Sequence, residues 1–172
     1  LVGFFAGIPF LWAQPANDLC TAAQVLTVQV GTCTSPFYTN VAATTTGNPA
    51  TPACWNPATM SNTVWFSFIA SATTHILSAT WVSGETDVYW QVFSGACGST
   101  MTAILCTDNN TGGTLTGLTI GQKYYVRLYS YFTGTTVQNI CIQTTPPPPT
   151  NDNCAGAKAF PAFPSDGSCS AL

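Results

Sequence analysis

Val64-Trp65-Phe66-Ser67-Phe68-Ile69 decides how the rest of this chain is read. Taken alternately, Val64, Phe66 and Phe68 fall on one face, and Trp65, Ser67 and Ile69 on the other. Side chains alternate across a strand, whereas on a helix the same six residues would scatter around the axis. Upstream, Leu26, Val28 and Val30 alternate with Thr27 and Gln29 before Gly31 ends the run, and Phe37, Thr39, Val41 and Ala43 form a weaker strand. Downstream, runs follow at Thr74–Trp81, Asp87–Phe93, Met101–Cys106, Leu115–Ile120, Lys123–Phe132 and Val137–Gln143. Clusters of Gly, Pro or Asn separate them, and no 3.6-residue apolar period lasts long enough for a helix. Nine short strands predict an all-β sandwich or barrel. Trp90 shares parity with Val88 and Val92, which assigns it, with Trp81, to the core or its rim.

Composition narrows the functional classes. Of 172 residues, 46% are apolar, enough for a core, while 5% are charged, far below the roughly 25% of an ordinary domain. Thr, Ser, Asn and Gln must therefore cover the surface. The 12% of aromatic residues argue against disorder, which needs few aromatics and high net charge. With Lys123, Arg127 and Lys158 as the whole cationic complement and a net charge of −3, the chain has no footprint for a phosphate backbone, and nucleic acid is excluded as a partner.

Eight cysteines in such a chain imply an oxidising compartment. Zinc would need close thiolate pairs with His support, yet there is no CxxC and His75 is the single histidine. The opening run "LVGFFAGIPFLWA" is too short to span a bilayer, and we expect residues 1–14 to be a signal-peptide remnant, the alternative being a buried N-terminal strand. No membrane span is expected elsewhere. Asn17-Asp18-Leu19-Cys20 returns as Asn151-Asp152-Asn153-Cys154, and Gly31-Thr32-Cys33 returns as Gly167-Ser168-Cys169 at nearly the same distance. Between the copies stand Pro146 to Pro149, which cannot join a ladder and favour stiff polyproline II. We expect a module at 15–145, a spacer at 146–150, and the truncated start of a second repeat at 151–172, the whole being a fragment of a longer secreted protein. The Asx residue would bond its own backbone two residues on, turning the chain into the first strand, while the Cys fastens the loose end.

Cys97 and Cys106 close a short loop containing Gly98, which makes a local bridge sterically easy. If Ile140 and Ile142 face the core, Cys141 lies on an outer face and bonds a covering N-terminal segment. Cys33–Cys141 with Cys20–Cys54 is the preferred pairing of these four, though three arrangements are possible.

Asn17-Asp18-Leu19-Cys20, Val64-Trp65-Phe66-Ser67-Phe68, Val92-Phe93-Ser94-Gly95-Ala96-Cys97-Gly98-Ser99, Leu105-Cys106-Thr107-Asp108 and Gly121-Gln122-Lys123-Tyr124-Tyr125-Val126-Arg127-Leu128 together resemble the NDxC-type repeats of secreted bacterial multidomain proteins. Such repeats are similar to the bacterial pre-peptidase C-terminal domain and occur in cargo of the type IX secretion system. The resemblance spans residues 17–145 and implies a jelly-roll-like antiparallel β-sandwich of eight or nine strands on a secreted or cell-surface protein. It leaves function open, because such modules accompany proteases, adhesins and surface filaments alike.

Catalysis is not expected. A hydrolase needs nucleophile, base and orienting group together, and the chain offers one histidine, no GxSxG and no HExxH. His75 reads as a surface or loop-edge residue. Two clusters of binding residues remain. Glu85, Asp87, Asp108, Asn109 and Asn110 are hard oxygen donors on neighbouring loops, able to hold calcium or to cap strand ends as Asx turns. Tyr125, Arg127, Tyr129 and Tyr131 share one side of a strand if Tyr124, Val126, Leu128 and Ser130 face inward; such a row suits an extracellular glycan or protein, or a covered sheet face. The expected role is a non-catalytic spacer and adhesion or binding module, partnered by tandem repeats of the same chain. The alternatives are an accessory domain of a secreted protease or glycosidase, or a subunit of a surface filament.

Overall fold

A computed structural model describes residues 13–45, 60–98, 101–108, 111–146, 149, 151 and 154–156. The signal-peptide expectation for residues 1–12, with Cys54, Asn109, Asn110 and Cys169, falls outside them.

Among the described residues ten strands follow one another: β1 (Gln24–Val25), β2 (Val28–Val30), β3 (Phe37–Thr39), β4 (Met60–Ile69), β5 (His75–Gly84), β6 (Val88–Ser94), β7 (Thr102–Asp108), β8 (Gly112–Leu115), β9 (Lys123–Tyr131) and β10 (Thr136–Thr144). One sheet, sheet A, has the order β1-β4-β9-β6-β7; the other, sheet B, has β2-β10-β5-β8, with β3 also pairing with β10. Successive strands from β3 onward switch sheets except at the β6–β7 hairpin, and the resulting orders β4-β9-β6-β7 and β3-β10-β5-β8 are those of a jelly roll. The alternation therefore resolves as an all-β sandwich with jelly-roll connections.

Inner faces carry the apolar set that alternation assigned to them. Val64, Phe66 and Phe68 of β4, Val88, Trp90 and Val92 of β6, and Tyr124, Val126 and Leu128 of β9 meet Leu77 and Ala79 of β5 and Ile140 and Ile142 of β10. Trp90 is completely buried, whereas Trp81, in the C-terminal half of β5, is 44% exposed. The first two strands depart from the antiparallel rule: β1 runs parallel to β4 and β2 parallel to β10. Buried Leu26 marks the crossing from one sheet to the other. The strand expected at Leu115–Ile120 is corrected to Gly112–Leu115. Gly112, at φ +84, lets β8 press onto β5, where a Cβ would lie 2.2 Å from the Leu77 carbonyl. Beyond Leu115, Gly117 takes φ +70, and Leu118 anchors the loop by burying its side chain and donating its N–H to the Thr73 carbonyl at 3.0 Å.

Two bridges fasten the N-terminal segment. Cys33 bonds Cys141 on the outer face of sheet B, as the parity of the last strand suggested. Cys20 bonds Cys97 with Cα atoms 5.8 Å apart, correcting both Cys20–Cys54 and Cys97–Cys106. The register gives the reason. Ser94 pairs with Thr102 while Cys106 pairs with Gln91, so Cys106 lies about 14 Å down the strand from the turn that holds Cys97, at roughly 3.4 Å per residue, beyond disulfide reach. Cys106 is itself disulfide-bonded. Cys154 is a free, exposed thiol.

Asn17 and Asp18 act differently from self-capping Asx residues. Asn17 clips to β4 from both its groups: its side-chain amide donates to the Trp65 carbonyl at 2.9 Å, and its carbonyl accepts the Trp65 N–H at 2.8 Å. The Asp18 carboxylate, 4% exposed, accepts the Thr44 N–H, the Thr44 hydroxyl at 2.8 Å and the Gln14 amide. Cys20 then opens a single 3-10 turn over Cys20–Ala22. The four letters are a clamp that closes the strap of residues 14–23 over sheet A.

Candidate functional site

On the outer face of sheet A, β9 presents Tyr125, Arg127, Tyr129 and Tyr131 in one row, opposite Gln91 and Tyr89 of β6 and Trp65 of β4. Their shared side agrees with the alternation. Their exposure does not: Arg127 and Tyr129 are each 1% exposed, and only Tyr125 and Tyr131 are half-buried. Of the two readings of the row, Arg127 and Tyr129 take the covered sheet face, as the floor of a second, outer core. Trp65, Phe93, Met101 and Cys20 form that core, with Tyr125, Ala23 and Cys97 packed against it.

Arg127 sits at its centre. The guanidinium lies 5.3 Å from the Trp65 ring centroid and 5.4 Å from those of Phe93 and Tyr129. Nε donates to the Gln91 side-chain carbonyl at 2.9 Å, and Nη2 donates to the same oxygen. A cation held by ring quadrupoles and one neutral amide, far from water, loses hydration that no carboxylate among the described residues replaces. Burial accordingly lowers its pKa to about 10, a shift slightly countered by Tyr129. The same burial drives the Tyr129 phenol well above its ordinary range, and its hydroxyl makes no hydrogen bond. Tyr89 stacks on Tyr129 at 5.0 Å and is pushed up to about 12, by burial first and then by the charges of Asp87 and Asp108.

The acidic residues gather at the end of this face. Asp87 precedes β6, Asp108 ends β7 opposite Tyr89, and Glu85 stands in the β5–β6 turn. Burial, then Asp108, then Glu85 raise the Asp87 pKa, while a hydrogen bond from Tyr89 opposes them. Glu85 spends Oε1 on its own turn, accepting the Thr86 and Asp87 N–H groups at 2.8 and 2.9 Å. Among the described residues no three His, Cys, Asp or Glu side chains converge as metal ligands. Glu85 therefore plays the turn-capping part. Asn109, the fourth candidate calcium ligand, is outside the description.

His75 is corrected from a surface residue to a fully buried one. It starts β5 with inward parity, its ring 5.5 Å from that of Phe68. Nε2 accepts the Ser71 N–H at 3.2 Å, which makes the ring neutral, and burial lowers its pKa. Sequence reasoning missed Gln91. Its signal was a lone amide inside the run Val88–Phe93, whose neighbours are all apolar or aromatic.

A charge-poor jelly roll with a disulfide-fastened strap, in which Arg127, Asp18 and His75 are built into packing, defines a stapled β-sandwich module. This chain belongs to the galactose-binding-domain-like family associated with type IX secretion: the family model described as "Galactose binding domain-like" matches residues 16–142, from the clamp to the end of the core on β10. Among curated proteins, none matches the chain. No helix of the described residues is long and apolar enough to cross a membrane.

Proposed function

We propose that the chain is a non-catalytic binding module of a secreted or cell-surface multidomain protein, exported by the type IX route, that also spaces its neighbours along the polypeptide. The observation that carries this reading is where the reactive groups are spent. Arg127 holds the outer core, Asp18 holds the strap, His75 is buried and neutral, and Cys20, Cys33, Cys97, Cys106 and Cys141 are oxidised. A catalytic site would need such groups convergent and accessible. Family membership supports a binding role, and bridged cysteines support an oxidising destination.

Organisation in beads belongs to the same proposal. The second NDxC copy leads into a 3-10 turn at Cys154–Gly156, as the first leads into Cys20–Ala22. We read 15–145 as one module, 146–150 as its spacer and 151 onward as the next, similar to the NDxC repeats and the pre-peptidase C-terminal domain. Adhesion is the function such a string serves best. The test is deletion of residues 17–145 from the parent protein. Loss of attachment to cells or matrix, with any chemical activity of the remaining protein preserved, is the expected result. Turnover of peptide, ester or glycoside substrates by the purified 172-residue chain would refute the proposal.

A further inference from the structure

We infer that the two ends of the sandwich are a matched pair of surfaces through which copies of this chain meet head to tail. This rests on the reading of tandem modules and names their partner as one another. β9 runs from Lys123 at one end of the sandwich to Tyr131 at the other, about 27 Å at roughly 3.4 Å per residue. Register fills in both ends. Ile69 of β4 pairs with Lys123. At the far end Val88 of β6 pairs with Ser130, Asp108 of β7 with Tyr89, and Gly84 of β5 with Thr136. Charge divides between these ends. Asp18 and Arg127 are buried, Glu85, Asp87 and Asp108 stand at the Tyr131 end, and exposed Lys123 stands at the other. Among the described residues every accessible charge therefore lies at an end, and the two ends differ in sign.

Each end also leaves large apolar side chains uncovered, and each holds one of them at the corner of a hydrogen-bonded turn. At the lysine end, Gln122 donates its N–H to the Thr119 carbonyl at 3.1 Å, and Gly121 donates to the Ala70 carbonyl at 2.7 Å. This turn sets Ile120, 62% exposed, next to the strand end that carries Ile69, 56% exposed. At the acidic end, Gly134 donates its N–H to the Tyr131 carbonyl at 3.3 Å, and Phe132 takes the corner at φ +50, a left-handed value that is costly for a bulky residue. The Asn62 amide holds that turn by donating to the Gly134 and Thr133 carbonyls at 2.6 and 3.3 Å. Glycine would take this conformation freely, yet the chain places a phenyl ring there, edge-on to Tyr131 and 58% exposed. Trp81 and Val82 are exposed at the same end.

Opposite charge beside apolar surface selects a second copy as the occupant. Two acidic ends repel, so a symmetric contact of like ends is disfavoured, and the attractive pairing sets the lysine end of one copy against the acidic end of the next. Such a contact is heterologous, leaves one end of each copy free, and propagates. β10 also finishes at the lysine end, because Gln143 pairs with Ile76 at the start of β5, so the chain beyond Thr144 leaves the fold where the next acidic end would dock. Patches of this size give weak, transient contacts between free copies. Tethering in tandem, at an effective concentration of about a millimolar, makes them count.

The test uses the oxidised 172-residue chain, followed by NMR shifts and sedimentation as its concentration rises to about 2 mM, at low and high salt. Concentration-dependent shifts at Ile69, Lys123, Asp108 and Phe132, and self-association that weakens as salt rises, are expected. Lys123→Glu or Asp108→Lys alone should weaken association at least roughly tenfold. An equimolar mixture of the two variants should restore it, because the lysine end of one meets the acidic end of the other. Phe132→Gly should weaken association while leaving the melting temperature unchanged or raised, since glycine relieves the left-handed corner. Thr80→Lys, which puts the same charge midway along the outer face of sheet B, should change nothing. Equal melting temperatures and disulfide maps establish that the charge variants fold. No association at about 2 mM, association that both charge variants keep or that salt strengthens, or a mixture that stays monomeric overturns the inference. Those results leave the binding-module reading in place, because deletion of residues 17–145 decides it separately.

Discussion

Arg127 offers the most severe test of how this sandwich is built. If its charge is a packing element rather than a ligand contact, removing it must cost stability, by an amount that depends on what replaces it. Arg127→Ala opens a void among Trp65, Phe93 and Tyr129, forfeits three ring contacts and strands the Gln91 oxygen. Cavity and orphaned acceptor together predict a loss of about 3–5 kcal/mol. Lowering of the pKa from 12.5 to about 10 corresponds to a penalty of about 3 kcal/mol for burying the charge, at 1.36 kcal/mol per unit. At pH 7 the arginine is charged in both folded and unfolded chains, so that penalty is borne in full. Three desolvated cation–π contacts, up to about 2 kcal/mol each, offset it. Arg127→Met with Gln91→Leu removes penalty and benefit together and should fall within about 1 kcal/mol of wild type, as replacing buried polar pairs by apolar groups often does. The assay is urea unfolding at pH 7 with disulfides intact, supported by melting temperatures at roughly 3 °C per kcal/mol. An Arg127→Ala loss below about 1 kcal/mol would refute the outer core. A double variant as weak as Arg127→Ala would show that the charge itself is required.

Other outcomes follow from the same structure. Replacing Cys20 and Cys97 together by Ser frees a loop spanning 77 residues, and the chain-entropy model puts the loss at about 4.5 kcal/mol; chemical unfolding of the pair variant checks it, and a loss under about 1 kcal/mol counts against a strap that organises the fold. Asp18→Ala leaves the Thr44 N–H and hydroxyl without their acceptor and should cost about 1–3 kcal/mol, with hydrogen exchange at Thr44 accelerated. His75 is held below its ordinary value of 6.5 by burial, so the unfolded chain binds the proton more tightly. Its contribution is whole above pH 6.5 and declines as pH falls from there through the folded value. His75→Phe keeps a ring beside Phe68 and should flatten that part of the stability profile between pH 7.5 and 5; equal slopes in both proteins would remove the argument.

Much of this architecture was legible because alternation reports parity. Val64, Phe66 and Phe68 faced the core where they were placed, and Cys141 pointed away from it as Ile140 and Ile142 required. Parity does not report what lies over a face. Tyr125, Arg127, Tyr129 and Tyr131 shared their side as expected, yet the strap from Gln14 to Ala23 and the Cys20–Cys97 bridge close over part of that side. Nothing local to β9 distinguishes a covered tyrosine from one awaiting a sugar. The disulfides failed for a related reason. Short sequence distance favoured Cys97–Cys106, but a hairpin carries its residues apart at about 3.4 Å per step, and the turn ended before Cys106 came near. Gln91 was visible only as an anomaly in an apolar run, since the arginine that explains it is 36 residues away.

The strap and its two bridges connect fold to compartment. Both sheets of an open sandwich expose an edge on the side where the chain begins, and unpaired edges recruit other strands. Here β1 covers the β4 edge and β2 with β3 covers the β10 edge, the chain crossing between them at Leu26. These are strands of two and three residues, too short to hold by ladder bonds alone against the entropy of a free end. Cys20–Cys97 pins the strap to sheet A and Cys33–Cys141 pins the segment between β2 and β3 to sheet B, while Asn17 and Asp18 supply register. Reduction would therefore act on both sheets together: it would release both edges and uncover the Trp65–Phe93–Arg127 core. A module built this way gains its shape by oxidation, which fits the oxidising destination proposed for it.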